Sequence, residues 1–130
     1  SQREIVCIGG GCGMAPIRSI LFHLKEKGMP RKISYFFGAR GKKDLFYTDE
    51  LQALEKECPN FKYIPVLSEP EPDDKWPGET GFVTQAVERH IHSNGNTEAY
   101  LCGPPPMIDA AVKVLTKKGV KEMHIYYDKF

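Results

Sequence analysis

Two glycine-rich turns, far apart in the chain, constrain its fold more than any other feature. The first is Gly9-Gly10-Gly11-Cys12-Gly13-Met14-Ala15-Pro16, directly after the apolar run Ile5 to Ile8. The second is Cys102-Gly103-Pro104-Pro105-Pro106-Met107, directly after Ala99-Tyr100-Leu101. Each reads as a strand-to-helix junction. In an open parallel sheet the carboxyl ends of the strands share one edge, and ligands bind there. Two such turns facing one crevice imply a nucleotide clamped between them.

Glycines let a backbone turn sharply and approach an anion closely. The helix that follows points its free N–H groups and the positive end of its dipole at the same place. Pro16 fits the first turn of that helix, where a missing N–H costs little. Gly9 to Gly13 therefore read as a pyrophosphate cradle, and the alternative is a tight turn without a ligand. Two common nucleotide motifs are absent. G-x-G-x-x-G needs glycine at position 14 or 16, where Met14 and Pro16 stand. No acidic residue closes the second predicted strand, which ends Gly38-Ala39-Arg40, and the lysine and hydroxyl of a P-loop are missing.

Alternating apolar runs and helical periods predict strands at Glu4 to Ile8, Lys32 to Phe37, Phe61 to Leu67, Glu98 to Cys102 and Glu122 to Tyr126. Helices are predicted at Ala15 to Lys27, Thr48 to Cys58, Gly81 to His92 and Pro105 to Lys118, with Asp44 and Thr48 as candidate caps. Gly28, Gly95 and Gly119 each follow a predicted helix, as C-terminal caps do. The expected fold is α/β, a three-layer αβα open parallel sheet of about five strands with right-handed crossovers. Residues 68–78, rich in proline and acid, read as an ordered loop at the ligand edge.

With 130 residues, 41% of them hydrophobic, the chain can build one domain with a real core. A net charge of +1, from 18 basic and 17 acidic residues, gives no general pull towards nucleic acid. No apolar run reaches membrane-spanning length and no signal peptide opens the sequence, so a cytoplasmic location is expected. The four cysteines, Cys7, Cys12, Cys58 and Cys102, form no paired C-x-x-C units. Cys7 and Cys12 have the gap of a plant-type iron–sulfur loop, but the next ligand position holds Ala15. Cys7 reads as a small core residue. His23, His90, His92 and His124 show no metal spacing, and no metal site is expected.

The two turns, together with Gly38-Ala39-Arg40, Asp44-Leu45-Phe46-Tyr47 and Gly78-x-Thr80-Gly81, resemble the pyridine-nucleotide domain of the ferredoxin-NADP reductase superfamily. Within it, YFFGARGKKDLFYTDELQALEKE and LSEPEPDDKWPGETGFV look most like the NADH-dependent reductases of multicomponent bacterial monooxygenases of the phenol hydroxylase type. The NADH-oxidising component of the sodium-translocating quinone reductase has a similar domain and is the main rival. The resemblance implies that NADH delivers a hydride to FAD, which passes electrons singly to a [2Fe–2S] centre. It implies an FAD-binding barrel and a ferredoxin-type domain elsewhere in the same polypeptide, with a monooxygenase or quinone reductase downstream. Residues 1–130 would then be one module, the C-terminal nucleotide domain of a longer reductase, able to bind nucleotide but not to catalyse alone. In the quinone reductase case the location becomes the cytoplasmic side of a membrane.

The same resemblance assigns site residues. Gly9, Gly10, Gly11, Cys12, Gly13, Met14, Ala15 and Pro16 would hold the pyrophosphate, Cys12 replacing the usual Thr, Ser or Ala. Cys102 would sit beside the nicotinamide as the catalytic residue, with Gly103, Pro104, Pro105 and Met107 shaping that turn. Met107 fits either the nicotinamide pocket or the core. Gly38, Ala39 and Arg40 would approach the ribose or a phosphate. Phe46, with Tyr47, would line the adenine slot or else pack in the core, and Ser68, Glu69 and Thr80 would also contact the cofactor. Phe130, in the segment Tyr127-Asp128-Lys129-Phe130 after the last predicted strand, would cover the flavin. Trp76 could lie over its own loop or over adenosine. Glu69, with Glu71, Asp73 and Asp74 behind it, stands where NADPH users place a basic residue, so NADH is the expected nucleotide. A non-catalytic nucleotide sensor and an FMN carrier of flavodoxin type are the readings from other classes. Cys102 in its Gly-Pro-Pro setting weighs against the sensor. The lack of Ser and Thr in the first turn weighs against the carrier.

Overall fold

The computed structural model describes residues 3–10, 14–28, 31–45, 48–92 and 96–129. The roles expected of Gly11, Cys12, Gly13, Phe46, Tyr47, Gly95 and Phe130 lie outside these residues, as do the side chains of Met14, Ala15 and Pro16.

Six parallel strands form one sheet: β1 (Glu4–Gly10), β2 (Ile33–Ala39), β3 (Phe61–Leu67), β4 (Glu79–Thr80), β5 (Thr97–Gly103) and β6 (Ile125–Lys129). Four α-helices connect them: α1 (Met14–Glu26), α2 (Thr48–Glu57), α3 (Val83–His90) and α4 (Pro105–Lys117). The spatial order is β4-β3-β2-β1-β5-β6. The chain thus winds outward from β1 to β4, returns to the other side of β1, and adds β5 and β6. The direction reverses between β1 and β5, so the crevice of such a sheet opens there.

Burial on both faces explains why the strands read as apolar runs. On one face Val6, Ile8, Phe36, Val66, Ala99 and Leu101 meet Val83, Ala86 and Val87 of α3 and Ile108, Ala111 and Leu115 of α4. These helical residues recur at three- and four-residue intervals, the spacing of one buried stripe. On the other face Ile5, Cys7, Ile33, Tyr35, Phe37 and Phe61 meet Ile17 and Leu21 of α1 and Leu51 and Leu54 of α2. Cys7 is a core residue as expected, and burial, with the nearby Glu98, pushes its thiol up to about 12.

Three expectations are corrected. A sixth strand, β4, lies between the loop read at residues 68–78 and the helix read from Gly81, in two residues given no element. It pairs Val66 with Glu79 and Leu67 with Thr80, and two residues are too few to show a strand period. The last strand starts three residues later than predicted. Glu122–His124 forms a 3-10 turn, leaving Met123 75% exposed. Met123 had extended the apparent apolar run, and Tyr127 to Lys129 are strand rather than tail. Among the described residues Asp44 caps no α-helix: its carboxylate accepts a hydrogen bond from the Gly41 N–H at 3.2 Å and holds the loop after β2.

Candidate nucleotide site

The strands end together at one edge. Register places Gly9 of β1 beside both Phe37 of β2 and Cys102 of β5, and places Cys102 beside Asp128 of β6. Beyond the strands the backbone stays ordered: the Ser68 N–H donates to the Ala39 carbonyl at 2.9 Å, and Glu69 N–H to the Arg40 carbonyl at 2.8 Å. These bonds carry the β2–β3 pairing past the sheet and set Glu69 next to Arg40.

A cavity of about 560 Å³ opens at this edge. Gly10 and Pro104 line it from the β1 and β5 turns, Gly38, Ala39 and Arg40 from β2, and Ser68 from β3. Gly81, Phe82 and Val83 at the start of α3, Met107 on α4, and Phe37 and Asp44 complete it. Its walls are largely apolar with a few polar groups at the rim, the usual make-up of a small-molecule site. A second depression of about 380 Å³ adjoins it, lined by Arg40, Gly41, Lys42, Lys43, Asp44, Glu69 and Glu71. Arg40 and Asp44 belong to both. The Arg40 side chain is exposed and has no hydrogen bond or ion pair among the described residues.

Small residues make the cavity possible. A Cβ on Gly10 would lie 2.6 Å from the Met107 sulfur, and one on Gly103 2.6 Å from the Met107 methyl. Met107 thus fills the notch between the ends of β1 and β5, packed on the core and facing the cavity at once. A Cβ on Gly38 would come 2.9 Å from the Val83 Cβ, so Gly38 is what lets α3 seat against β2. Gly81, with φ of +103°, makes a turn that other residues resist. Pro104 then precedes α4 with Pro105 in its first turn, aiming that helix start at the same edge.

Cys102 is 3% exposed and belongs to the core on the α1/α2 face. It does not line the cavity. Leu101 points to the α3/α4 face and Cys102 to the other, so cavity and thiol flank the end of β5 from opposite sides. Burial, and then the Asp128 carboxylate, raises its thiol pKa, so the group stays neutral. Gly9 is buried, and a Cβ there would come 3.0 Å from the Tyr35 hydroxyl. Thr80 and Pro105 are exposed and stand outside the cavity lining, and Glu69 faces the second depression. Trp76 closes on its own loop: its indole N–H donates to the Glu79 carbonyl at 2.8 Å, and its ring covers Gly78. The Glu79 carboxylate takes His90 and Arg89, each at 3.0 Å, and these hydrogen bonds hold its pKa below the ordinary value. Among the described residues no group of three or more His, Cys, Asp or Glu side chains could hold a metal ion. No described helix is long and apolar enough to cross a membrane.

Sequence reasoning missed Phe37, Asp44, Gly81, Phe82 and Val83 as lining residues. Phe82 is 70% exposed, yet its backbone is fixed by the Gln85 side chain, which accepts its N–H at 2.8 Å. The available signal was an aromatic residue directly after Gly81, with a glutamine three positions on.

Residues 7–113 match the oxidoreductase NAD-binding domain family. The chain belongs to that family. It is 46% identical over 130 residues to the reductase component of propane 2-monooxygenase from Mycolicibacterium goodii, covering 97% of this chain and 37% of that protein. It is 42% identical over 135 residues to one component of the Na(+)-translocating NADH-quinone reductase of Neisseria meningitidis, covering 100% of this chain and 33% of that protein. Among solved structures, the cytochrome P450 reductase of Amycolatopsis superposes with a TM-score of 0.89 at 30% identity, over 100% of this chain and 38% of that one. The chain spans about a third of the length of these curated relatives. Fold and family expected from the sequence are therefore borne out, with both named groups of reductases among the relatives.

Proposed function

We propose that this chain is the NADH-binding module of a flavin-dependent reductase that serves a monooxygenase. It would present the nicotinamide C4 hydrogen for transfer, with its electron pair, to FAD held elsewhere in the polypeptide. The observation that carries this reading is the cavity at the β1/β5 reversal, running from Gly10 and Pro104 to Arg40 and Ser68. A dinucleotide laid along it has glycine backbone beside its phosphates, and the positive ends of α1 and α4 near their charge. Arg40 and Glu69 then meet the adenosine ribose, and the β5 turn meets the nicotinamide. The neutral, buried Cys102 acts by shape rather than as a nucleophile. It gives the end of β5 a small polarizable side chain beside which a flat ring can lie.

Bound FAD would supply a two-electron acceptor able to release electrons singly, and a [2Fe–2S] centre in a ferredoxin-type domain would receive them. We place both outside residues 1–130, which form the C-terminal nucleotide domain in this reading, in the cytoplasm. The 42% identity to the quinone reductase component supports a second reading, in which the same module feeds a quinone reductase at the membrane. The test is rapid-mixing reduction of the full-length reductase by NADH, read at the flavin absorbance. NADH-dependent bleaching of the flavin is expected, and a reductase that binds NADH without bleaching overturns the proposal. The sequence preceding Ser1 separates the two readings: a membrane-spanning segment followed by a cluster domain favours the quinone reductase.

A further inference from the structure

Among the described residues that line the nucleotide cavity, Met107 alone carries sulfur. Its sulfur lies 2.6 Å, and its methyl 3.7 Å, from where a Cβ on Gly10 would stand. From a Cβ on Gly103 the same two atoms lie 3.3 and 2.6 Å away. The thioether is therefore wedged against the ends of β1 and β5, which pair side by side. Met107 also packs on the core beneath α3 and α4. An interior packed at protein density has no spare gap for a further atom. The cavity is the open side of this side chain. Met123 offers the contrast: it is 75% exposed in the 3-10 turn before β6 and stands outside the cavity lining.

We propose that the Met107 thioether is a sulfoxidation site through which peroxides lower the affinity of this module for NADH. The inference rests on the function proposed above, in which the phosphates lie beside Gly10. A lone pair of the sulfur attacks one oxygen of hydrogen peroxide, the O–O bond breaks, an S–O bond forms, and water leaves after proton transfer. The sulfur gives up two electrons and the peroxide takes them. A soft apolar atom thereby gains a polar oxygen with partial negative charge. Glycine backbone and core close the other sides, so this oxygen enters the cavity or drives the side chain into it. There it takes room from the pyrophosphate and repels it, where helix starts otherwise favour an anion. A bound nucleotide covers the sulfur, so an occupied module resists peroxide and an empty one does not. Methionine sulfoxide reductases reverse the change. Cys102 is the poorer target, because thiols react as thiolates and its raised pKa keeps it protonated.

The test is graded hydrogen peroxide treatment of the full-length reductase, followed by dithiothreitol to reverse cysteine oxidation. Peptide mass spectrometry reads the sulfoxide at each methionine. Stopped-flow mixing gives the NADH concentration that half-saturates flavin reduction. Met123 should oxidise alike with and without NAD+, and Met107 several-fold more slowly with it. The half-saturating concentration should rise several-fold in step with sulfoxide at Met107, and a methionine sulfoxide reductase should restore it. Met107→Leu, which conserves volume, should show no further rise on treatment, whatever its starting value. An equal rise in that variant assigns the loss to another residue and overturns the proposal. So does sulfoxide at Met107 without a rise, oxidation of Met107 indifferent to NAD+, or a Met107 left intact by peroxide that converts Met123. If the variant fails to fold, NAD+ protection and the parallel between sulfoxide and affinity in the unsubstituted protein still decide. A reductase that NADH does not reduce before treatment contradicts the proposed function, whereas one whose affinity ignores Met107 sulfoxide contradicts only the oxidation site.

Discussion

Cys102 and the cavity stand on opposite sides of one strand end, and this fixes what the thiol can contribute. In the proposed reading a neutral, buried side chain at the end of β5 shapes the nicotinamide end of the site, and so changes geometry more than affinity. Cys102→Ala in the full-length reductase should slow flavin reduction by about tenfold or more, with NADH affinity nearly unchanged; stopped-flow reduction at saturating NADH measures it. The thiol pKa lies above its ordinary 9.0, so no inflection of this rate below that pH should trace to Cys102. In the proposed reading Glu69 carries the choice of nucleotide. Its side chain lines the same depression as Arg40, and a carboxylate there can accept a hydrogen bond from a ribose 2′-hydroxyl but repels a 2′-phosphate. NADH should bind more tightly than NADPH, and Glu69→Arg should narrow the gap in titration calorimetry; equal affinities in the unsubstituted chain would contradict this. Gly10, Gly38, Ala39, Arg40, Ser68 and Pro104, which line the cavity, were legible in the sequence because each lies at or just past the end of a strand that its apolar run marks. Phe82 and Asp44 were not, because their places depend on how α3 and the loop after β2 fold back across the edge.

Elements were legible where burial is two-sided. β1, β2, β3 and β5 are inner strands with core on both faces, and their apolar runs mark them. The edges β4 and β6 have a neighbour on one side only, and there the reading failed in existence for one and in register for the other. The contact between α3 and β2 yields a sharp test. The Gly38 Cβ position meets the backbone-anchored Cβ of Val83, whereas that of Gly10 meets the flexible end of Met107. Gly38→Ala should therefore destabilise the fold by about 1–3 kcal/mol, and Gly10→Ala by clearly less, as read from urea unfolding. The tie between β4 and α3 has its own pH signature. The folded pKa of Glu79 is depressed below the ordinary 4.5 by His90 and then Arg89. Its contribution to stability is present above the unfolded value and is lost as pH falls through the folded one. Glu79→Gln should lower the melting temperature at neutral pH and make little difference once the carboxyl is protonated; an equal loss at pH 7 and pH 3 would contradict the latch.

At the scale of the whole molecule, a parallel sheet that reverses direction between β1 and β5 opens a crevice at that reversal, and Gly10 and Pro104 line it from its two sides. The order β4-β3-β2-β1-β5-β6 follows from strands alternating with helices only once the reversal is known. No residue encodes that reversal by itself, which is why the sequence showed the two turns but not which strands they bring together. The most direct test is an NADH titration of this chain followed by backbone amide shifts in heteronuclear NMR. The account predicts saturable shifts at Gly10, Gly38, Arg40, Gly81 and Gly103, with the amides of Tyr100 and Tyr126 on the far face of β5 and β6 little changed. Saturable binding whose shifts fall on Tyr100 and Tyr126 while the strand-end glycines stay still would contradict it, as would the absence of NADH binding.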